Sequence, residues 1–309
     1  MDKNRRILIA ILVILVFAVV LAIIQISITM QRQTTLGTRI TLTEGPGVGV
    51  VRVYGRIEST GDMLSQANAD YVVKRLDELA QDSRIKAIVV RINSPGGTVA
   101  ATQEIYNKIL SLKKKNIPVV ASMGDLAASG GYYIASACNA IVANYGTITG
   151  SIGVIAIAPN LRGLFEKLGI RMNVIKSGKY KDILASYREL SPEELQLIQQ
   201  IIDTSYQKFV HDVAVGRNMA VSDIMPYADG RVFTGSQALE YKLVDELGTF
   251  EDAVNKARQL AKLPEDSAVY EDTASPFERI LATMSSLVKP KLEQYINTNY
   301  SLVEYSYLP

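Results

Sequence analysis

The chain has 309 residues, of which 48% are hydrophobic and 21% charged, with a formal net charge of +2. That length accommodates one large α/β core with appendages, and so small a net charge, with no basic run beyond Lys113, Lys114 and Lys115, excludes a nucleic-acid footprint. Cys138 and His211 are the sole residues of their kinds, which rules out an intramolecular disulfide and leaves a zinc or other metal mechanism without its usual ligands. No metal and no cofactor are expected.

Residues 7–24 are apolar and uncharged without a break, and extending the run to Met30 gives the ~20 residues that cross a bilayer. Lys3, Arg5 and Arg6 precede it, so the positive-inside rule leaves the N-terminus cytoplasmic and the rest outside. A cleaved signal peptide is the alternative, with Ala18 and Ala22 as small residues, but the run exceeds the ~7–15 residues of a signal-peptide core. The chain therefore divides into a cytoplasmic N-terminus and transmembrane anchor (1–30), a Thr-rich linker (31–47), a folded domain (48–263) and a polar C-terminal tail (264–309). Within the domain, β-branched runs at 48–53, 85–92, 117–122, 140–143 and 170–176 predict strands. Helical spacing at 67–80 and 99–115, and a helix opening near Ser129, alternate with them, which indicates an α/β domain with mostly parallel strands. Ser191-Pro192-Glu193-Glu194 is a capping box launching a long helix to about Val215, with Leu195, Ile198, Ile201, Ile202, Phe209 and Val213 on one face. Ser236 and Thr249 are N-cap candidates for two further helices, the second over 251–262.

Chemistry concentrates between Arg91 and Lys181. Pro95-Gly96-Gly97 follows a strand and precedes a helix, so the Gly96 and Gly97 amides can face an anion, although an ordinary βα turn would use the same residues. In Ala127-Ala128-Ser129-Gly130-Gly131, small neighbours leave room for a substrate backbone beside Ser129, and the Gly130 amide is a second oxyanion candidate; a plain N-cap serine is the alternative. A serine nucleophile needs a base. His211 lies inside the long helix as a surface or packing residue, which leaves lysine, usable when burial lowers its pKa from ~10.4 toward neutrality. The loop Ser177-Gly178-Lys179-Tyr180-Lys181 offers both Lys179 and Lys181, and spacing does not choose between them. Three S-x-x-K matches, at Ser83/Lys86, Ser111/Lys114 and Ser205/Lys208, lack a glycine-rich pocket and read as chance.

Ser94-Pro95-Gly96-Gly97, then Ala127–Ala135 (AASGGYYIA), then Thr149-Gly150-Ser151-Ile152-Gly153-Val154, then Gly178-Lys179-Tyr180-Lys181 follow in order. In these motifs the chain resembles the signal peptide peptidase A family of S49 serine peptidases, over residues 48–263 and in its N-terminal anchor. The resemblance implies a Clp protease/crotonase-like fold of repeated ββα units behind a transmembrane helix. It implies Ser129 as nucleophile, Lys181 as general base, Ser151 orienting the lysine amine, and Gly96, Gly97 and Gly130 as the oxyanion hole. One protease unit, as here, implies the short bacterial form: a ring, an octamer, with serine and lysine supplied either within one protomer or by neighbouring protomers. Substrates would be remnant signal peptides and other apolar peptides at the outer face of the cell membrane. A crotonase-like acyl-CoA enzyme and an inactive membrane scaffold of the same fold are the rival readings. The tail ends in Val303-Glu304-Tyr305-Ser306-Tyr307-Leu308-Pro309, a segment suited to strand addition, and is expected either to occupy the active site as a peptide ligand or to stay disordered.

Overall fold

A computed structural model describes residues 45–59, 65–271 and 304–306. The apolar run at 7–30 and most of the tail lie outside these residues; among the described residues no helix is long and apolar enough to cross a membrane. Strand and helix alternate as β1 (Gly47–Tyr54), α1 (Ala69–Gln81), β2 (Ile85–Ser94), β3 (Gly96–Thr98), α2 (Val99–Lys114), β4 (Val119–Ala128), α3 (Gly130–Ser136), β5 (Ala140–Ala143) and β6 (Ile148–Gly150). After them come α4 (Arg162–Lys167), α5 (Pro192–Arg217), α6 (Val221–Ile224), β7 (Val232–Thr234), α7 (Gly235–Glu240), β8 (Glu246–Leu247), α8 (Phe250–Leu260), β9 (Ala268–Glu271) and β10 (Glu304–Ser306).

The main sheet runs β7-β6-β4-β2-β1-β9, with β5 attached to β4 and β8 to β5; every pairing in it is parallel except β6 with β7. Parallel strands covered on both faces need continuous apolar runs, and the strand residues divide by period 2 between the two sides. Val48, Val50, Ala87, Val89, Val120 and Val142 meet Ala253, Val254 and Ala257 of α8, while Val51, Val53, Ile88, Val90 and Ile92 join the larger core under α1, α2, α3 and α5. Helix starts are set by side chains: Asn68 Oδ1 accepts from the Tyr71 amide at 3.1 Å, and Ser191 and Glu194 form the expected capping box of α5.

β4 serves two neighbours on the same side. Val120–Met123 pair with β5, whereas Leu126–Ala128 pair with β6. Where the strand changes partner, side chains take over the backbone bonds: Thr147 Oγ1 donates to Gly124 O at 2.7 Å, Asn144 Nδ2 to Met123 O at 3.2 Å, and Asn93 Oδ1 accepts from the Leu126 amide at 3.0 Å. This fork aims the end of β4 at the glycine-rich motifs.

Three elements differ from the sequence-based expectation. Residues 170–176 form no strand, and Ile170, Met172, Val174 and Ile175 are exposed, because no other strand among the described residues lies beside them. The N-cap of α7 is Thr234 rather than Ser236, since Thr234 has Gln237 three residues on and closes a capping box with it. The apolar face expected of α5 is buried only in part: Ile198, Phe209, Val210, Val213 and Ala214 are buried, while Leu195 and Ile201 face solvent. Beyond residue 263, β9 adds an edge to the sheet alongside β1.

Candidate active site

Ser129 forms the corner between β4 and α3 with φ 53° and ψ −116°, a conformation that strains any residue with a Cβ. The corner is held from both sides: the Ser129 amide donates to Gly150 O at 2.8 Å, and its carbonyl accepts from the Tyr133 amide at 2.8 Å. The helix behind it is buried all round, from Gly130 to Ser136. Ser129 is 1% exposed, yet its Oγ has no hydrogen-bond partner, the one buried hydroxyl among the described residues in that condition. A buried polar atom costs free energy when left unpaired, so such an orphan marks a place reserved for another molecule or for chemistry.

Two of the expected oxyanion glycines, Gly96 and Gly97, pack against the third, Gly130, the residue after Ser129. Gly96, at φ 103°, follows β2, and its amide is fixed by donation to Ser94 Oγ at 3.1 Å. A Cβ on Gly96 would strike the Tyr305 carbonyl oxygen and lie 2.6 Å from the Gly130 amide nitrogen; one on Gly130 would lie 3.1 Å from both Gly96 Cα and Gly97 N. Gly96, Gly97 and Gly130 are thus packed backbone against backbone. Ser151 comes in from β6. Ala128 pairs with Gly150, so Ser129 and Ser151 are the next residues on adjacent strands; Ser151 is buried, also left-handed at φ 50°, and its amide donates to Arg231 O at 2.8 Å.

Lys181 is not brought to this cluster within one chain. It is exposed on a turn closed by its amide to Gly178 O at 3.4 Å, and its ammonium has no recorded partner among the described residues. Lys179 is paired with Glu193, whose carboxylate raises the lysine pKa, the wrong direction for a base. The turn is tethered through the next residue: Asp182 accepts from Arg188 at 2.7 Å and from Tyr187 at 2.8 Å, and Arg188 reaches on to Glu194 at 2.6 Å. Arg188 holds the Asp182 carboxyl well below the usual carboxylate range and, with the Ser191 amide, brings that of Glu194 down to about 2. His211 stands on the surface of α5 with its side chain 65% exposed, 3.4 Å from Asp212.

A short segment of the tail completes the site. β10 pairs antiparallel with β3, Tyr305 opposite Gly97 and Ser306 opposite Gly96. Its other edge bonds Ile155, with the Glu304 amide donating to Ile155 O at 3.0 Å and the Ile155 amide to Glu304 O at 3.1 Å. A three-residue strand of the chain itself therefore lies against the glycine cradle, held on both sides by backbone.

Family models place this arrangement. Residues 53–142 match the model for Clp protease, and residues 111–264 match that for peptidase family S49. Over 221 residues the chain is 52% identical to a Synechocystis protein named "Putative protease slr0021", covering 72% of this chain and 79% of that one. It is 36% identical over 239 residues to the Enterococcus faecium protein named "Putative signal peptide peptidase SppA", covering 75% and 70%. It is also 38% identical over 219 residues to "Serine protease SPPA, chloroplastic" of Arabidopsis thaliana, covering 71% and 32%.

The chain belongs to peptidase family S49. It is a serine peptidase on a Clp-protease-like α/β frame, which sets aside the acyl-CoA reading. In this S49 peptidase, sequence reasoning located the serine and glycine motifs but missed the residues that receive β10. Arg56 pairs with Glu304; Tyr133 and Phe209 flank Tyr305; Asp212 accepts from the Tyr133 hydroxyl. Tyr133 belongs to the AASGGYYIA motif, and that was the available signal. Asp212, a buried acid in the middle of an apolar helix face, was a second.

Proposed function

We propose that this serine peptidase is a membrane-anchored endopeptidase that hydrolyses apolar peptides, remnant signal peptides among them, at the outer face of the cell membrane, with Ser129 as nucleophile and Lys181 of a neighbouring copy as general base. The observation that carries the reading is the buried, unpartnered Ser129 Oγ beside a glycine cradle that already accepts an extended segment. Lys181 takes the Ser129 proton as Oγ attacks the peptide carbonyl. The Gly97 and Gly130 amides receive the developing oxyanion, the Gly96 amide being held by Ser94, and the lysine returns the proton to the leaving amine. Water then releases the acyl group with the same lysine as base. A lysine does this at neutral pH when its pKa falls by ~3 units, about 4 kcal/mol, which burial supplies. Lys181 is exposed in the single chain, so the burial comes from a second copy docking over the segment around it, where Leu164, Leu168, Met172 and Ile175 present apolar surface. Ser151, beside Ser129, orients the incoming amine. Repetition of the contact closes a ring, an octamer, that keeps folded proteins out; residues 7–30 hold it at the membrane.

A subunit-mixing experiment tests the reading. Ser129→Ala and Lys181→Ala proteins, each inactive alone, are dissociated, mixed and reassembled. Recovery of peptidase activity is expected, because some interfaces then join an intact serine to an intact lysine. A mixture that stays silent beside an active wild-type control treated in the same way would put both groups in one chain, and full activity of Lys181→Ala alone would remove the lysine from the mechanism.

A further inference from the structure

The strand held at the active site is recognised by more than its backbone. Tyr305 is fully buried, with ring centroids 4.6 Å from Phe209 and 5.2 Å from Tyr133. Its hydroxyl donates to Ser205 O on α5 at 2.9 Å, with the Gln103 side chain of α2 close by. The pocket is therefore apolar along its walls and polar at its end. Those walls are fixed in turn, since the Tyr133 hydroxyl is held by the Asp212 carboxylate, the Tyr106 hydroxyl donates to Asp212 O at 3.3 Å, and Lys208 reaches Asp212 at 2.6 Å. On the preceding residue, the Glu304 carboxylate pairs with Arg56, its side chain only 14% exposed. Arg56 keeps a second carboxylate, Glu58, at 2.5 Å, so an empty groove leaves no uncompensated cation behind.

Resting on the reading that this groove takes peptide substrates, we propose that it selects an extended peptide carrying an acidic residue followed directly by a tyrosine, with Arg56 receiving the carboxylate and Ser205 O with Gln103 receiving the phenol. Backbone pairing with β3 and Ile155 is indifferent to side chains and supplies affinity; Arg56 and the polar pocket end supply the choice. A purely apolar peptide fills the pocket but brings no donor to its polar end and offers Arg56 nothing. Phenylalanine in place of tyrosine loses the hydroxyl bonds while keeping the ring contacts, and glutamine in place of glutamate keeps shape but loses charge. Each loss corresponds to a weakening on the order of five- to tenfold, within the range of one hydrogen bond to a buried or charged group. The charge contribution also falls with ionic strength, whereas the hydroxyl contribution does not.

The test is binding, read independently of hydrolysis. Full-length Ser129→Ala protein, further changed by Glu304→Gln and Tyr305→Ser so that its own segment vacates the groove, is titrated with fluorescein-labelled Val-Glu-Tyr-Ser-Tyr and with its Gln, Phe and Leu versions at the Glu or the first Tyr. The parent peptide is expected to bind tightest. Added Arg56→Gln should erase the preference for Glu over Gln and leave that for Tyr over Phe, Arg56→Lys should restore part of it, and Gln103→Leu should narrow the Tyr over Phe difference. Equal affinity for all four peptides, or a Glu preference that survives Arg56→Gln, overturns the proposal while leaving the groove reading intact. Failure of every peptide to bind overturns both.

Discussion

At the residue scale, Ser129 carries two separable properties, a hydroxyl and a strained backbone. Removing the hydroxyl is expected to abolish hydrolysis and labelling by a fluorophosphonate probe in both Ser129→Ala and Ser129→Gly. The two differ in stability, because glycine relaxes at φ 53° where alanine cannot. Ser129→Gly is expected to melt above Ser129→Ala by roughly 2–4 °C, the equivalent of about 1 kcal/mol in a domain of this size. Equal melting temperatures would mean the corner stores no strain. Ser151 makes a different prediction. If it acts through the lysine as proposed, its change to alanine is expected to lower kcat by a factor on the order of ten to a hundred and to displace the acid limb of the pH–rate profile. An unaltered profile would reduce it to a turn serine.

At the element scale, the loop bearing Lys181 is pinned to the start of α5 by Asp182, Arg188 and Glu194. Arg188 and the Ser191 amide hold the Glu194 carboxyl at about 2, below its ordinary ~4.3. A depressed acid stabilises the fold above its unfolded pKa and loses that contribution as pH falls through the folded value. Wild type should therefore resist urea better than Glu194→Gln at pH 7, with the gap closing between about pH 4 and pH 2; a gap that persists at pH 2 would assign the effect to something other than titration. The Ser191 box that opens α5 was legible in the sequence, because a capping serine with Glu three residues later reports a local contact. The same rule distinguishes Thr234, with Gln237 behind it, from Ser236. Long-range facts were not legible. Residues 170–176 alternate Ile, Met and Val as an edge strand does, yet strand formation needs a partner and one chain provides none. β1, β2 and β4 read clearly because burial on both faces demands unbroken apolar runs, and β9, four residues flanking a polar stretch, gave no such signal. The glycine motifs reported Ser129 and its cradle, since close backbone approach admits little else. Lys179 and Lys181 looked alike until Glu193 was seen beside the first.

At the scale of the whole molecule, the exposed apolar side chains between residues 157 and 190 are an unpaid hydration cost unless another surface covers them. Ile175, fully exposed, is the sharpest instance. Ile175→Asp is expected to shift sedimentation from the assembled form to the monomer and to abolish hydrolysis, while circular dichroism stays that of the folded chain, because that side chain is fully exposed in the single chain. An assembled, active Ile175→Asp protein would move the interface elsewhere. The same measurement on Ser129→Ala should show the assembly unchanged.

The slot between β3 and Ile155 imposes a further condition on whatever enters it. Both of its edges are backbone, so a guest must bring amides and carbonyls that are free, which means fully unwound chain. A helix lying in a bilayer has already spent those groups on itself and has no water to exchange them with. The same sequence released into water is a short isolated helix of marginal stability and opens readily. Under the proposed function, hydrocarbon is then a refuge and departure from it the event that exposes a peptide to this enzyme, so that partitioning between lipid and water sets the lifetime of a hydrophobic fragment before any side chain is read.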